Sequence, residues 1–302
     1  MALTLEEALA RVPQWAGATD LKATPLEGGI TNNNFRVDVG GNSFVLRIAG
    51  ADTDLLGINR ENEYKANLAA GKLGIAPEVF YFIRPEGYLV TRFIRGRPIL
   101  TDEIRKPQNL KRVMDVVRRI HNLPEIPGIF NVFRIVEDYS EIARRYAVKF
   151  PENYKSIINQ IQTAEKAMAL QHVTHCPCHN DLLNANFLSN SALYVLDWEY
   201  AGMGDRFFDL ANFSDHHELT DEQDHWILKC YFDEVKPSQW AHLKIMKIMS
   251  DLREATWGLV QVGISKLDFD FRGYATKFFG RVTENIQNPK WNEWLKEVSK
   301  NV

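Results

Sequence analysis

The stretch His179-Asn180-Asp181-Leu182-Leu183-Asn184-Ala185-Asn186 is followed by an apolar run, Tyr194-Val195-Leu196, that ends in Asp197. Phosphoryl transfer from ATP needs a carboxylate to orient or deprotonate an acceptor hydroxyl, and oxygen ligands to hold Mg²⁺ against the phosphates. An Asp, a carboxamide five residues later and a second Asp closing the next strand meet that need. Asp181 is therefore the expected catalytic base, and Asn186 and Asp197 the expected metal ligands. Asp and Asn also cluster in ordinary turns, where they cap backbone N–H groups. The hydrophobic strand that delivers Asp197 separates the two readings.

Such chemistry requires further parts upstream, and residues of suitable type are there. Gly28-Gly29-Ile30-Thr31-Asn32-Asn33-Asn34 precedes a strand, where a turn can cover phosphates with backbone N–H donors. Gly29, Thr31, Asn32, Asn33 and Asn34 are the expected nucleotide contacts, although Gly-Gly before a strand is by itself just a loop. Arg47, on the next strand, is expected to reach the α- and β-phosphates and to pair with a glutamate of the following helix. Glu63 is the first choice and Glu61 the second, because sequence does not fix helix phase to one residue. Thr91, Phe93 and Ile94 stand where an adenine-contacting hinge belongs. The Asp, Asn, Asp order also repeats the spacing of the protein-kinase catalytic loop.

The elements that must position these groups fall into two patterns. A leading helix is expected from Leu5 to about Trp15. TPLEGGITNNNFRVDV and SFVLRIAG read as two strands joined at Gly40-Gly41, with period-two apolar positions at Val37, Val39, Phe44, Leu46 and Ile48. A helix opening at Asn59 and ending near Leu73 follows, with Tyr64 and Leu68 on one face. EVFYFI and YLVTRFI form a second hairpin around Pro85-Glu86-Gly87. From Asn109 the period becomes helical, over 109–122, 136–150 and 151–170. One β interruption follows around ANFLSNSALYVLDWEY, and helices continue to the C-terminus. A β-rich lobe over 1–97 and a helical lobe over 98–302 are expected, with the break near residues 95–108.

Composition excludes several partners. The 302 residues are 45% hydrophobic and 25% charged, with formal net charge −3 and isoelectric point near 6.3, so the chain has no basic field for nucleic acid or anionic membranes. No apolar stretch reaches the ~20 residues that cross a bilayer, and MALTLEEALARVPQWAG is neither signal nor transit peptide. Cys176, Cys178 and Cys230 lack a disulfide framework and fit reduced thiols of a cytoplasmic protein. Zinc on Cys176, Cys178 and His179 is disfavoured because no second Cys or His pair follows at finger spacing. A homodimer is compatible with the sequence and not required by it.

These motifs resemble the choline/ethanolamine kinase family, within the aminoglycoside-phosphotransferase-like group of small-molecule kinases. The resemblance runs from about Leu26 to Phe279, through GGITNNNF, VLRIAG, CHNDLLNANFL, VLDWEYAGMGDRFFDLANF and WGLVQVGISKLDFDFRGY. It implies an α+β, bilobal protein-kinase-like fold, ATP and Mg as cofactors, and a small amino alcohol as acceptor, choline first and ethanolamine next. Aromatic faces and a carboxylate are what an ammonium group wants. The implied acceptor pocket comprises Asp181, Glu199, Tyr200, Trp257, Phe269 and Tyr274. The family's W-x-x-W arrangement is interrupted here, with Glu254 where the first Trp would fall; Glu254 would suit a primary amine, whose N–H groups want acceptors. Asp209 and His179 resemble residues that hold the catalytic loop. Other hydroxylated amines, such as thiamine or an aminoglycoside, remain alternative acceptors. A nucleotide-binding pseudokinase is the alternative of a different class. A protein substrate is disfavoured, since DFG and APE segments are missing.

Overall fold

The computed structural model describes residues 3–26, 32–50, 53–170 and 173–300; Gly29 and Thr31, two expected phosphate contacts, lie outside the described residues. Helix α1 (Leu5–Ala10) opens on a capping box between Thr4 and Glu7. It ends well before Trp15, because Pro13 starts a separate 3₁₀ turn, Pro13–Trp15. Strands β1 (Lys22–Leu26), β2 (Asn32–Val39) and β3 (Asn42–Ala49) follow. β1 is a strand in its own right, paired antiparallel with β2, where the sequence suggested one long strand. The β2–β3 hairpin turns at Gly40-Gly41, both at positive φ, the geometry a two-residue turn demands.

Helix α2 (Arg60–Lys72) is capped by the Asn59 side chain. Its buried face carries Glu63, Ala66, Asn67 and Ala70, one position away from the Tyr64 and Leu68 face that apolar residues alone suggested. Strands β4 (Val79–Ile83) and β5 (Tyr88–Arg92) complete an antiparallel sheet of order β1-β2-β3-β5-β4. Val37, Phe44, Leu46, Ile83 and Val90 bury one face of it against Ala8, Val12 and Trp15.

The chain then runs through β6 (Arg97–Pro98), α3 (Thr101–Ile104), α4 (Pro107–His121), α5 (Val132–Arg145) and α6 (Tyr154–Met168). Helix α5 starts four residues earlier than expected because Asn131 caps it, accepting the Phe133 and Arg134 N–H groups. It stops at Arg145, and Pro151 precedes α6 instead of opening it. Strands β7 (Cys176–Cys178), β8 (Phe187–Ser189), β9 (Leu193–Val195) and β10 (Gly202–Gly204) come next. Helices α7 (Arg206–His216), α8 (Asp221–Phe232), α9 (Pro237–Ile264), α10 (Phe271–Ile286) and α11 (Trp291–Val298) finish the chain.

Two details position the site. β6 pairs with β8, so the chain leaving the large sheet is stitched to the hairpin that carries Asn186 and Asp197 at its ends. Ala66 and Ala70 of α2 belong to the same apolar core as Val117, Leu182, Phe187 and Phe213. The helix bearing Glu63 is thereby anchored to the helical part. No helix among the described residues is long and apolar enough to cross a membrane.

Candidate active site

The loop between β7 and β8 is held by side chains from α7. Asp209 accepts the backbone N–H of His179 at 2.9 Å and of Asn180 at 2.6 Å, and Asn212 accepts that of Leu182 at 2.7 Å. Asp209 and Asn212 are one helical turn apart, so both face the loop. Burial alone would raise the Asp209 pKa, but the bond from His121 and the loop N–H groups outweigh it and keep the carboxylate ionised. Asn180 adopts φ 65°, a left-handed conformation that costs a non-glycine residue energy and persists because these bonds determine it.

His179 is a neutral spacer. Its Nε2–H donates to the Leu196 carbonyl at 2.9 Å and its Nδ1 accepts the Asp181 N–H at 3.3 Å; burial pushes its pKa down to about 4. The ring thus ties the Asp181 segment to the strand end that delivers Asp197. Cys176 and Cys178 gather around His121 rather than His179, and both His121 ring nitrogens are already engaged, by Tyr231 and Asp209.

Asp181, Asn186 and Asp197 line one cavity of about 520 Å³ with Arg47. Asn186 donates its amide N–H groups to the Asp181 carbonyl at 2.8 Å and to Asp181 Oδ2 at 3.2 Å, which leaves its carboxamide oxygen for another partner. Burial pushes the Asp181 pKa up to about 6, while the Arg253 guanidinium opposes that rise. Asp197, at φ 63°, is a second strained residue at the cavity wall.

Arg47 lies on β3 opposite Asn34 and Leu89, and its Nη1 bonds both Glu63 and, at 2.9 Å, Asp197 Oδ1. Burial would lower the arginine pKa, but Asp197, Glu63 and Glu199 raise it, so the group stays charged. Glu63 rather than Glu61 is the partner, since Glu61 faces outward and pairs with Arg84 at 2.7 Å. Arg60 continues the chain of charges, bonding Glu63 at 2.7 Å, Glu199 at 3.1 Å and Asn32 at 2.9 Å.

Of the expected nucleotide contacts, Asn34, Arg47, Thr91, Phe93 and Ile94 line the cavity. Asn33 is exposed, and Asn32 is buried behind the wall, where its amide donates to Glu199 at 2.9 Å. The Phe93 N–H is taken by the Ser43 carbonyl at 3.0 Å, and the Arg36 guanidinium lies over its ring at 4.7 Å.

Of the expected acceptor residues, Asp181, Glu199, Tyr200, Glu254, Trp257 and Tyr274 share this cavity. Phe269 does not line it: it is 49% exposed, and its ring packs tilted against that of Phe271 at 4.8 Å and edge-to-face against that of Tyr274 at 6.1 Å. Glu254 is not an open carboxylate. It accepts from Arg253 Nη1 at 2.8 Å and from the Tyr274 hydroxyl at 2.6 Å. Burial alone would raise its pKa, but Arg253, His216 and Tyr274 hold it at about 2. Arg253 is the residue that sequence reasoning missed. It is 2% exposed, bonds Asp181 Oδ1 at 3.2 Å and lies over the Tyr200 ring at 4.4 Å. A buried arginine in a mid-helix run is invisible to pattern; its position next to Glu254 was the only available signal.

Comparison with known proteins identifies the family. A family model described as choline/ethanolamine kinase matches residues 23–233. Protein LicA of Haemophilus influenzae is 27% identical over 261 residues, covering 82% of this chain and 95% of that protein. A probable ethanolamine kinase of Arabidopsis thaliana is 24% identical over 302 residues, covering 86% and 77%. The crystal structure of a choline/ethanolamine kinase family protein from Mesorhizobium loti superposes with a TM-score of 0.84 at 30% identity, covering 97% of each chain. With the family model spanning well over half of its residues, this chain belongs to the choline/ethanolamine kinase family.

Proposed function

We propose that this chain transfers the γ-phosphoryl group of ATP, in the presence of Mg²⁺, to the hydroxyl of a small amino alcohol. The observation that carries the reading is that Asp181, Asn186, Asp197 and Arg47 line one cavity together with Tyr200, Trp257 and Tyr274. Asp181 is the group to align the acceptor hydroxyl and take up its proton, and a carboxylate already pushed up to about 6 suits a base working near neutrality. Arg47, fixed between Glu63 and Asp197, supplies a rigid positive charge toward the phosphates. Asn186 and Asp197 fit a hard cation: an amide oxygen and a carboxylate whose Oδ1 alone is taken by Arg47. When bound, Mg²⁺ neutralises phosphate charge. The rest of the catalysis is positioning and electrostatics performed by the residues above.

Choline and ethanolamine are the first acceptors to consider, and the relatives' names include ethanolamine kinases. The three free cysteines suit a cytoplasmic setting, where ATP and Mg²⁺ are also at hand. The test is steady-state ADP release with Mg²⁺ and ATP against choline, ethanolamine, thiamine and an aminoglycoside, beside Asp181→Ala. Amino-alcohol-stimulated turnover that disappears in the variant is the expected result. Stimulation by thiamine or an aminoglycoside alone would overturn the acceptor class.

A further inference from the structure

We propose that Arg253 is the specificity-determining residue of the acceptor end, making the pocket select a protonated primary amine over a quaternary ammonium. The inference rests on the amino-alcohol kinase reading above and concerns which amine the same cavity takes.

The cavity's acceptor end already holds a built-in cation. One nitrogen, Arg253 Nη1, bonds both Asp181 and Glu254, and the guanidinium covers the face of Tyr200. Its Nε is buried with no hydrogen-bond partner. Glu199, the other carboxylate at this end, is engaged by Arg60 and Asn32. A quaternary ammonium binds through aromatic faces and diffuse attraction to carboxylates, and it donates no hydrogen bond. Here one of its three candidate faces is occupied and its carboxylates are paired. The rings of Trp257 and Tyr274, 5.7 Å apart and edge-to-face, are what remains.

Distance sharpens the discrimination. The acceptor hydroxyl must lie against Asp181, and Asp181 Oδ1 is one hydrogen bond from Arg253. In an amino alcohol with two carbons between oxygen and nitrogen, the charged nitrogen cannot move far from the guanidinium, and like charges repel strongly where water is excluded. A primary ammonium offsets that repulsion by donating up to three hydrogen bonds to the remaining lone pairs of Asp181 and Glu254. Each added methyl removes one donor and enlarges the head that has to fit beside Arg253.

The test is a methylation series: ethanolamine, its N-methyl and N,N-dimethyl derivatives, and choline, with kcat and KM determined separately for each. The expected result is a monotonic fall in kcat/KM with methylation, about tenfold or more from first to last and carried mainly by KM. Arg253→Met and Arg253→Gln are expected to flatten the series, raising choline relative to ethanolamine whatever the absolute rate. The wild-type series needs no variant, so a poorly folded substitution does not remove the test. Choline used as well as ethanolamine by the wild type overturns the inference and leaves the kinase reading intact. A fall that persists unchanged in both variants also overturns it, since the filter would then lie elsewhere. Turnover of no member of the series, with ATP still bound, removes the amino-alcohol reading and this inference together.

Discussion

The carboxylate of Asp209 accepts the backbone N–H of Asn180 at 2.6 Å across 29 residues of sequence, in a site with no solvent exposure at either residue. The same carboxylate serves His179 N–H and the ring of His121, so three donors converge on one side chain. Asp209→Ala leaves them all buried and unmatched, a loss of about 3–5 kcal/mol by the usual cost of breaking a buried charged network. Urea unfolding is expected to register that loss, together with reduced turnover, because the Asn180 conformation that aims Asp181 is no longer enforced. Wild-type stability in the variant would show that the loop holds its shape by other means.

Asp181 is expected to matter for the chemical step and little for nucleotide binding. Asp181→Asn keeps the shape of the side chain but removes the base, and general-base catalysis contributes roughly 10²–10⁴-fold. The fall should appear in kcat, with ATP affinity measured by direct titration close to the wild-type value. An equal loss of ATP affinity would move Asp181 from the acceptor side to the nucleotide side of the cavity.

Glu63 and Glu61 provide an internal contrast. Glu63 is buried and shared by Arg47 and Arg60, whereas Glu61 is an outward-facing partner of Arg84. Glu63→Gln leaves two buried guanidiniums short of negative charge and is expected to cost about 3 kcal/mol. It should also raise the KM for ATP, because Arg47, already bonded to Asp197, then loses the second carboxylate that fixes its position. Glu61→Gln should leave both quantities unchanged, as exposed pairs do. Equal effects of the two substitutions would contradict the pairing.

How much of this was readable in advance follows from the range of the interactions. Asp181, Asn186 and Asp197 stand out in sequence because loop, hairpin and strand end are contiguous, and the β2–β3 and β4–β5 hairpins are fixed by local turn chemistry. Helix phase was not readable: α2 turns Glu63 and Asn67 inward and leaves Tyr64 at the edge, a choice made by Ala66 and Ala70 packing on the helical core. Tyr64 and Leu68, which share a face, are only partly buried. Arg253 was hidden for a related reason. Its partners Asp181 and Tyr200 are brought to α9 only by tertiary packing, and a charged residue in a helix reads as solvent-facing until its carboxylates are located. Phe269 differs in the opposite sense: resemblance of its segment to the family placed it in the pocket, whereas the turn before α10 leaves it half exposed and off the cavity lining.

His179 imposes a pH dependence on stability whose sign follows from its two hydrogen bonds. Nε2–H donates to Leu196 while Nδ1 accepts from the Asp181 N–H, so a second ring proton would set donor against donor in a fully buried site. Burial holds the folded pKa at about 4, against about 6.5 in the unfolded chain. Below about pH 6.5 the unfolded chain gains a proton that the folded one refuses, so stability falls as pH drops from about 6.5 to about 4 and this loss then stops. Over that window it amounts to about 3 kcal/mol, of which about 2 kcal/mol is spent by pH 5. Other titrating groups contribute to the raw curve, and subtracting the curve of His179→Gln, which keeps a donor for Leu196 without a titrating ring, removes them. Urea unfolding at pH 7 and pH 5 should therefore show a drop about 2 kcal/mol smaller in His179→Gln than in the wild type. Parallel curves would mean that the ring accepts its proton in the folded state, which the bond from the Asp181 N–H to Nδ1 forbids.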